Sequence, residues 1–144
     1  MSISANYIQS TGSCDEHWIC EANAQVAERA RKWGEEVARS EVYVKEGFSW
    51  DVSPKLESGT FDGILYDTYP ISEGAANLHH RDFFDEAARL LKPGGIFTYF
   101  CNEDEDINDE ERALLDAAGF DVTAEKVDVP TPDDCQYWRA KTIV

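Results

Sequence analysis

The chain is poor in positive charge: across 144 residues, 13 Lys and Arg face 29 Asp and Glu, a net charge of −16. Binding to nucleic-acid phosphates or an anionic membrane needs clustered Lys and Arg, so neither partner fits this composition. No apolar run approaches the roughly 20 residues that cross a bilayer. The opening Met-Ser-Ile-Ser-Ala-Asn has neither a basic region nor an apolar signal core, which predicts a cytoplasmic protein. Cys14, Cys20, Cys101 and Cys135 form no Cys-x-x-Cys and have no His at ligand spacing, so they read as reduced thiols and no metal site is expected. What is present is the stuff of a core. With 42% apolar and 12% aromatic residues the chain is not disordered, and its length suits one α/β domain spanning 1–144.

Strand and helix patterns alternate along the chain. His17-Trp18-Ile19-Cys20 is a short apolar run, followed by a helical stretch from Ala24 to Glu36 with Val26, Ala27, Ala30 and Trp33 on one face. Glu41 to Val44 predicts a second strand and Phe61 to Tyr66 a third. Arg81 to Leu91 predicts a helix ended by Pro93-Gly94-Gly95, and Ile96 to Cys101 a strand buried on both faces. Asn108 to Ala118 predicts a last helix, and Val122 to Val129 with Tyr137 to Val144 an antiparallel ribbon. Such alternation implies a Rossmann-like, doubly wound and mostly parallel sheet. The run from Glu103 to Glu111 holds seven carboxylates in nine residues. It reads as a solvated loop leading into acidic first-turn residues, with a cation or partner site as the alternative.

Ligands of open α/β sheets bind beyond the carboxyl ends of the strands. Glu21 stands at one such end and Asp67 at another. A carboxylate at the end of the second strand can hold both hydroxyls of a ribose. Asp67-Thr68-Tyr69-Pro70 places a carboxylate, a hydroxyl and an aromatic ring on a turn stiffened by proline. An ordinary Asx-type turn is the competing reading of the same residues.

The string Phe-Asp-Gly-Ile-Leu-Tyr-Asp-Thr-Tyr-Pro at 61–70 resembles the guanidinoacetate N-methyltransferase family. Asp15-Glu16-His17-Trp18-Ile19, Leu90-Leu91-Lys92-Pro93-Gly94-Gly95 and Asp134-Cys135-Gln136-Tyr137 add to the resemblance, which runs from about Ser4 to the C-terminus with one sizeable gap. It implies a class I methyltransferase fold, S-adenosylmethionine as cofactor, and methyl transfer to a guanidino nitrogen of a small molecule. Glu21 then resembles the acid on the cofactor ribose, with Ala22 and Asn23 in the same segment. Ser49 and Trp50 match the segment flanking the adenine. Asp67 resembles the acid that touches both cofactor and guanidino group, and Thr68 and Tyr69 line the substrate side. A carboxylate suits that task, since it accepts two parallel N–H bonds and can take the proton as the methyl arrives.

Two departures from the family pattern stand out. A ribose acid lies roughly 20 residues after a glycine-rich loop, yet Gly12 is the only glycine before Glu21. The residues from Met1 to Ala5 look like those that follow that loop, so the resemblance implies a fold incomplete at its N-terminus, without the first strand. That strand would lie mid-sheet, between the strands at 17–20 and 61–66, and its loss would leave open edges prone to self-association. A misplaced start codon, a degenerate paralogue or a strand-donating partner each account for this; the first is favoured because Met1 coincides with an internal Met of the motif. The second departure is the acidic run after Asn102, which would repel a carboxylate-bearing substrate and suits a more cationic guanidine. An arginine side chain is an alternative acceptor, and a catalytically silent module acting through protein contacts is the rival from another class.

Overall fold

The computed structural model describes residues 3–12, 14–66, 76–101, 109–127 and 140–143. They form two compact units, Met1–Lys55 and Leu56–Val144.

The first unit opens with helix α1 (Ile3–Thr11), which leads into strand β1 (Glu16–Glu21). Helix α2 (Ala24–Glu36) crosses to strand β2 (Glu41–Glu46), and helix α3 (Ser49–Val52) with a 3₁₀ turn at Ser53–Lys55 follows. β1 and β2 pair in parallel from Glu16↔Glu41 to Glu21↔Glu46. Parallel pairing requires a crossover, and α2 supplies it with Ala27, Ala30 and Trp33 buried. Gly34 lets α2 lie close on β2: a Cβ there would stand 2.9 Å from Val42 Cβ.

Nothing in the periodicity of α1 announces a helix, because its buried face is Ala5 and Gln9. Gln9 is held by hydrogen bonds rather than by greasy contact. Its Oε1 accepts from the Arg39 and Ser40 backbone N–H groups at 2.9 and 3.1 Å, and its Nε2 donates to Ser40 Oγ at 2.6 Å. Trp33 Nε1 donates to Asn6 Oδ1 at 2.8 Å. The buried Gln9 carboxamide thus ties α1 to the turn before β2, and Asn6 ties it to α2.

The second unit holds strand β3 (Phe61–Tyr66), helix α4 (Ala76–Leu90), strand β4 (Leu91–Cys101), helix α5 (Asp109–Ala117), and strands β5 (Ala124–Val127) and β6 (Ala140–Ile143). The strand order is β3-β4-β6-β5, with β3 parallel to β4 and β6 antiparallel to both of its neighbours. The expected ribbon near the C-terminus is therefore the β5–β6 pair. Tyr66, Phe83, Phe84, Ala87, Leu91, Phe97 and Leu115 form the core. Phe97 stacks on Phe120 at 5.1 Å and meets Phe84 edge-on at 5.9 Å, geometries that aromatic quadrupoles favour.

The helix α4 starts earlier than its apolar pattern predicts, and its last turn stops at Leu90. Pro93-Gly94-Gly95 is not its terminator but a bulge inside β4. Pairing runs Phe61↔Leu91 and then Gly63↔Ile96, so the extra residues of β4 loop out between. Gly94 has φ +80°, and a Cβ on Gly95 would sit 2.9 Å from Leu91 Cδ2 and 3.2 Å from the Asp62 carbonyl oxygen. Both glycines are thus required for different reasons, one by backbone angle and one by close approach. At the other end of the same connection, Arg89 Nη1 donates to Leu56 O and Ser58 Oγ, each at 2.9 Å, which ties α4 to the turn before β3.

Candidate cofactor site

The carboxyl ends of β1 and β2 carry most of the residues expected to hold a cofactor. Glu21 is the last residue of β1. Its carbonyl accepts from Gly47 N at 3.0 Å, and its Oε1 accepts from Asn23 N at 2.7 Å. Asn23 in turn caps α2: its Oδ1 accepts from Gln25 N at 3.0 Å and Val26 N at 3.3 Å. An N-cap of this kind is worth about 1 kcal/mol. Glu21, Ala22 and Asn23 are therefore one hydrogen-bonded turn whose anion lies near the positive end of a helix dipole. The second carboxylate oxygen of Glu21 has no partner among the described residues.

Gly47 joins this turn to the next segment. Its φ of +144° is a conformation that side chains disfavour, and a Cβ would meet Val52 Cγ2 at 3.1 Å. It donates to Glu21 O, and its own carbonyl accepts from Cys20 Sγ at 3.4 Å. The chain then turns through Phe48 into α3, with Asp51 N and Val52 N donating to Phe48 O at 3.0 Å each. The rings of Phe48 and Trp50 stack at 4.5 Å, 9° from parallel. Ser49 Oγ is shielded from solvent and hydrogen-bonds to none of the described residues. Helix α3 packs against β1, so Ser49 and Trp50 share the end of the sheet that Glu21 marks. The sequence pattern names Glu21, Ser49 and Trp50 as candidates but neither Phe48 nor Gly47, whose part depends on a backbone angle and a partner 26 positions away.

The electrostatics of β1 follow from burial and from Glu21. The Cys20 thiol reaches the surface, yet enough protein surrounds its sulfur to push its pKa up to about 11, with the Glu21 charge adding to the effect. His17, half-buried between Trp33 and Gln9, is held below its ordinary pKa of 6.5 by desolvation. Asp67, Thr68 and Tyr69 lie outside the described residues. So does most of the acidic run, of which the described part is Asp109, Glu110 and Glu111 in the first turn of α5, where carboxylates suit the helix dipole. Among the described residues, no group of His, Cys, Asp and Glu could hold a metal ion, and no helix is long and apolar enough to cross a membrane.

Parallel strand pairs joined through helices, β1–β2 in the first unit and β3–β4 in the second, are those of a Rossmann-like α/β fold. The crystal structure of precorrin 8W decarboxylase from Methanobacterium thermoautotrophicum has this fold, with a TM-score of 0.59 at 16% identity over 92% of this chain and 70% of that one. The family is narrower. The guanidinoacetate N-methyltransferase family model matches residues 1–144, and the chain belongs to that family. Among curated relatives, protein arginine N-methyltransferase 2 of Eremothecium gossypii is 40% identical over 89 residues, which is 58% of this chain and 20% of that protein. The protein of the same name from Emericella nidulans is 34% identical over 142 residues, 90% of this chain and 32% of its own length. Spermidine synthase 1 of Hyoscyamus niger is 29% identical over 84 residues, 54% of this chain and 26% of that protein. The chain thus spans between a fifth and a third of the curated relatives it matches.

Proposed function

We propose that this chain carries the acceptor-binding portion and part of the cofactor site of an S-adenosylmethionine-dependent N-methyltransferase acting on the guanidino group of a small molecule. The observation that supports this most is the family match over all 144 residues. The residues present suit the nucleoside half of the cofactor. Among the described residues, Glu21 keeps one carboxylate oxygen without a partner for a ribose diol, and beside it lie the shielded Ser49 hydroxyl, which meets none of them, and the stacked rings of Phe48 and Trp50. The cofactor supplies an electrophilic methyl group. The chain's own work falls to Asp67, which accepts two N–H bonds from the planar guanidinium, localises a nitrogen lone pair and takes the proton released as nitrogen gains the methyl. Thr68 and Tyr69 frame the acceptor. Holding the nitrogen in line with the methyl supplies much of the remaining rate.

A second reading makes the acceptor an arginine side chain. It draws on the arginine methyltransferases among the relatives and on the net charge of −16, which attracts cationic polypeptides and repels a free carboxylate. The test is transfer of labelled methyl from S-adenosylmethionine by the protein made from its natural reading frame. Guanidinoacetate, other small guanidines and an arginine-rich peptide are offered in parallel. Label on a small guanidine supports the first reading, and label on the peptide alone supports the second. No label on any of them, with no cofactor binding, supports a catalytically silent module.

A further inference from the structure

We propose that Gln9 and His17 form a proton-sensitive latch, which holds helix α1 in the first unit while His17 is neutral and lets it go when His17 takes a proton. The donor and acceptor count of one side chain carries this. Gln9 is only 6% exposed, so its amide must find its partners inside the protein. Its Oε1 accepts from two backbone N–H groups, of Arg39 at 2.9 Å and Ser40 at 3.1 Å. Backbone N–H groups only donate, so they fix which end of the amide is oxygen. Nε2 therefore faces Ser40 Oγ at 2.6 Å and His17 Nδ1 at 3.3 Å. Both acceptor sites and both N–H groups of the amide are then in use, and only an unprotonated Nδ1 completes the set. An imidazolium would set N–H against N–H, and Gln9 has no acceptor left to offer it. Helix α1 has little else to hold it. Its sequence carries no charge, Ala5 and Gln9 are the buried ones among its described side chains, and Asn6 accepts from Trp33 Nε1.

The groups that face His17 are uncharged. Helix α1 presents Gln9, α2 presents the Trp33 ring at 6.1 Å and 87°, and β2 sets Val42 opposite it. Glu16 and Glu41 alternate to the other face of the strands, where the Trp18 Nε1 and the Tyr43 hydroxyl donate to them. Asp15, Arg39, and the α2 residues Arg29 and Glu36 a turn either side of Trp33 are exposed, and Glu21 and Glu46 stand at the far end of the pair. Burial alone holds the imidazole below its ordinary 6.5, and no neighbouring charge adds to or opposes that effect. Release of α1 exposes His17 and returns it to its ordinary range, so the released state binds the extra proton. Docking is therefore strongest above pH 6.5 and weakens below it. The other histidines, His79 and His80, belong to α4 in the second unit. The latch holds whatever the methyl acceptor is.

The test is hydrogen exchange of the protein from its natural reading frame at pH 7.5 and pH 5.5, corrected for intrinsic exchange rates. Residues 3–11 are compared with residues 24–36 of α2, so that a general change in stability cancels. Protection of α1 relative to α2 should fall roughly three- to tenfold at the lower pH, and His17→Gln should abolish the fall. Gln9→Glu should reverse it. One carboxylate oxygen keeps the backbone N–H groups while the other accepts from the protonated ring, so relative protection should rise as pH falls. A Gln9 that only packs would show no such change of sign. Constant relative protection in the natural chain, or an equal fall in His17→Gln, would overturn the proposal. So would a Gln9→Glu variant that loses protection at low pH as the natural chain does.

Discussion

Gly34→Ala sets two effects of opposite sign against each other. Alanine in a helix interior is favoured over glycine by about 1 kcal/mol, and at an open position in α2 the substitution would stabilise. Position 34 is not open. The added methyl would stand 2.9 Å from Val42 Cβ and 3.2 Å from its Cγ1. Since Cβ is fixed to the β2 backbone, turning the valine cannot relieve the overlap, and α2 must lift from the sheet. Overpacking of this kind costs about 1–3 kcal/mol, and an atom so close to the backbone belongs in the upper part of that range. The net expectation is a loss of about 1–2 kcal/mol. Trp18, Trp33 and Trp50, three of the four tryptophans, lie in the first unit, so tryptophan fluorescence follows its unfolding in urea. With an m-value of about 1–2 kcal/mol per M, the midpoint should fall by roughly 0.5–2 M. Glu35→Ala, at an exposed neighbouring position, should move it by less than about 0.5 kcal/mol in equivalent terms. A midpoint that rises for Gly34→Ala would refute the close approach of α2 to β2.

Three further outcomes follow from the chemistry of single residues. His17 is held neutral below its ordinary 6.5, so the folded chain binds fewer protons than the unfolded one; its contribution to stability is present above that pH and lost as pH falls below it. Melting measured from pH 7.5 to 5 should therefore slope less steeply for His17→Gln, and identical slopes would remove His17 as the cause. In a variant whose other three cysteines are serine, alkylation of Cys20 should keep accelerating past pH 9 toward a midpoint near 11, and a plateau by pH 9 would contradict the effect of burial. If Asp67 is the proposed base, Asp67→Asn in the protein made from its natural reading frame should lower turnover by several orders of magnitude, combining a lost charge-assisted bond of about 1.5–3 kcal/mol with a loss of base catalysis of about 10²- to 10⁴-fold. Near-normal turnover with unchanged melting would leave Asp67 a turn residue, since asparagine makes the same Asx bond.

Legibility in the sequence followed the strength of the periodic signal. Helix α2 stands where apolar spacing places it because it buries Ala27, Ala30 and Trp33 on one face, and strand β3 spans the run Phe61–Tyr66 between its bounding turns. α1 escaped notice because Asn6 and Gln9 fix it by hydrogen bonds, which leave no apolar stripe. The early start of β4 was hidden by Pro93-Gly94-Gly95, which reads as a helix stop when taken alone and is a bulge only once β3 lies alongside. In the candidate cofactor site, the position of Glu21 at the end of β1 was legible as an acid ending an apolar run. The joining role of Gly47 was not, since its signal is a positive φ and a hydrogen bond to a distant strand.

The proposed function assigns Glu21, the last residue of β1, to the ribose of S-adenosylmethionine. Calorimetric titration with S-adenosylhomocysteine, using the protein from its natural reading frame and its Glu21→Gln variant, tests that role. Glutamine keeps an oxygen for the Asn23 N–H, so thermal unfolding should be unchanged. It forfeits a charge-assisted bond to the diol of about 1.5–3 kcal/mol, and affinity should fall roughly 10- to 150-fold. Equal affinity in the two proteins, or no binding by either, would contradict the account.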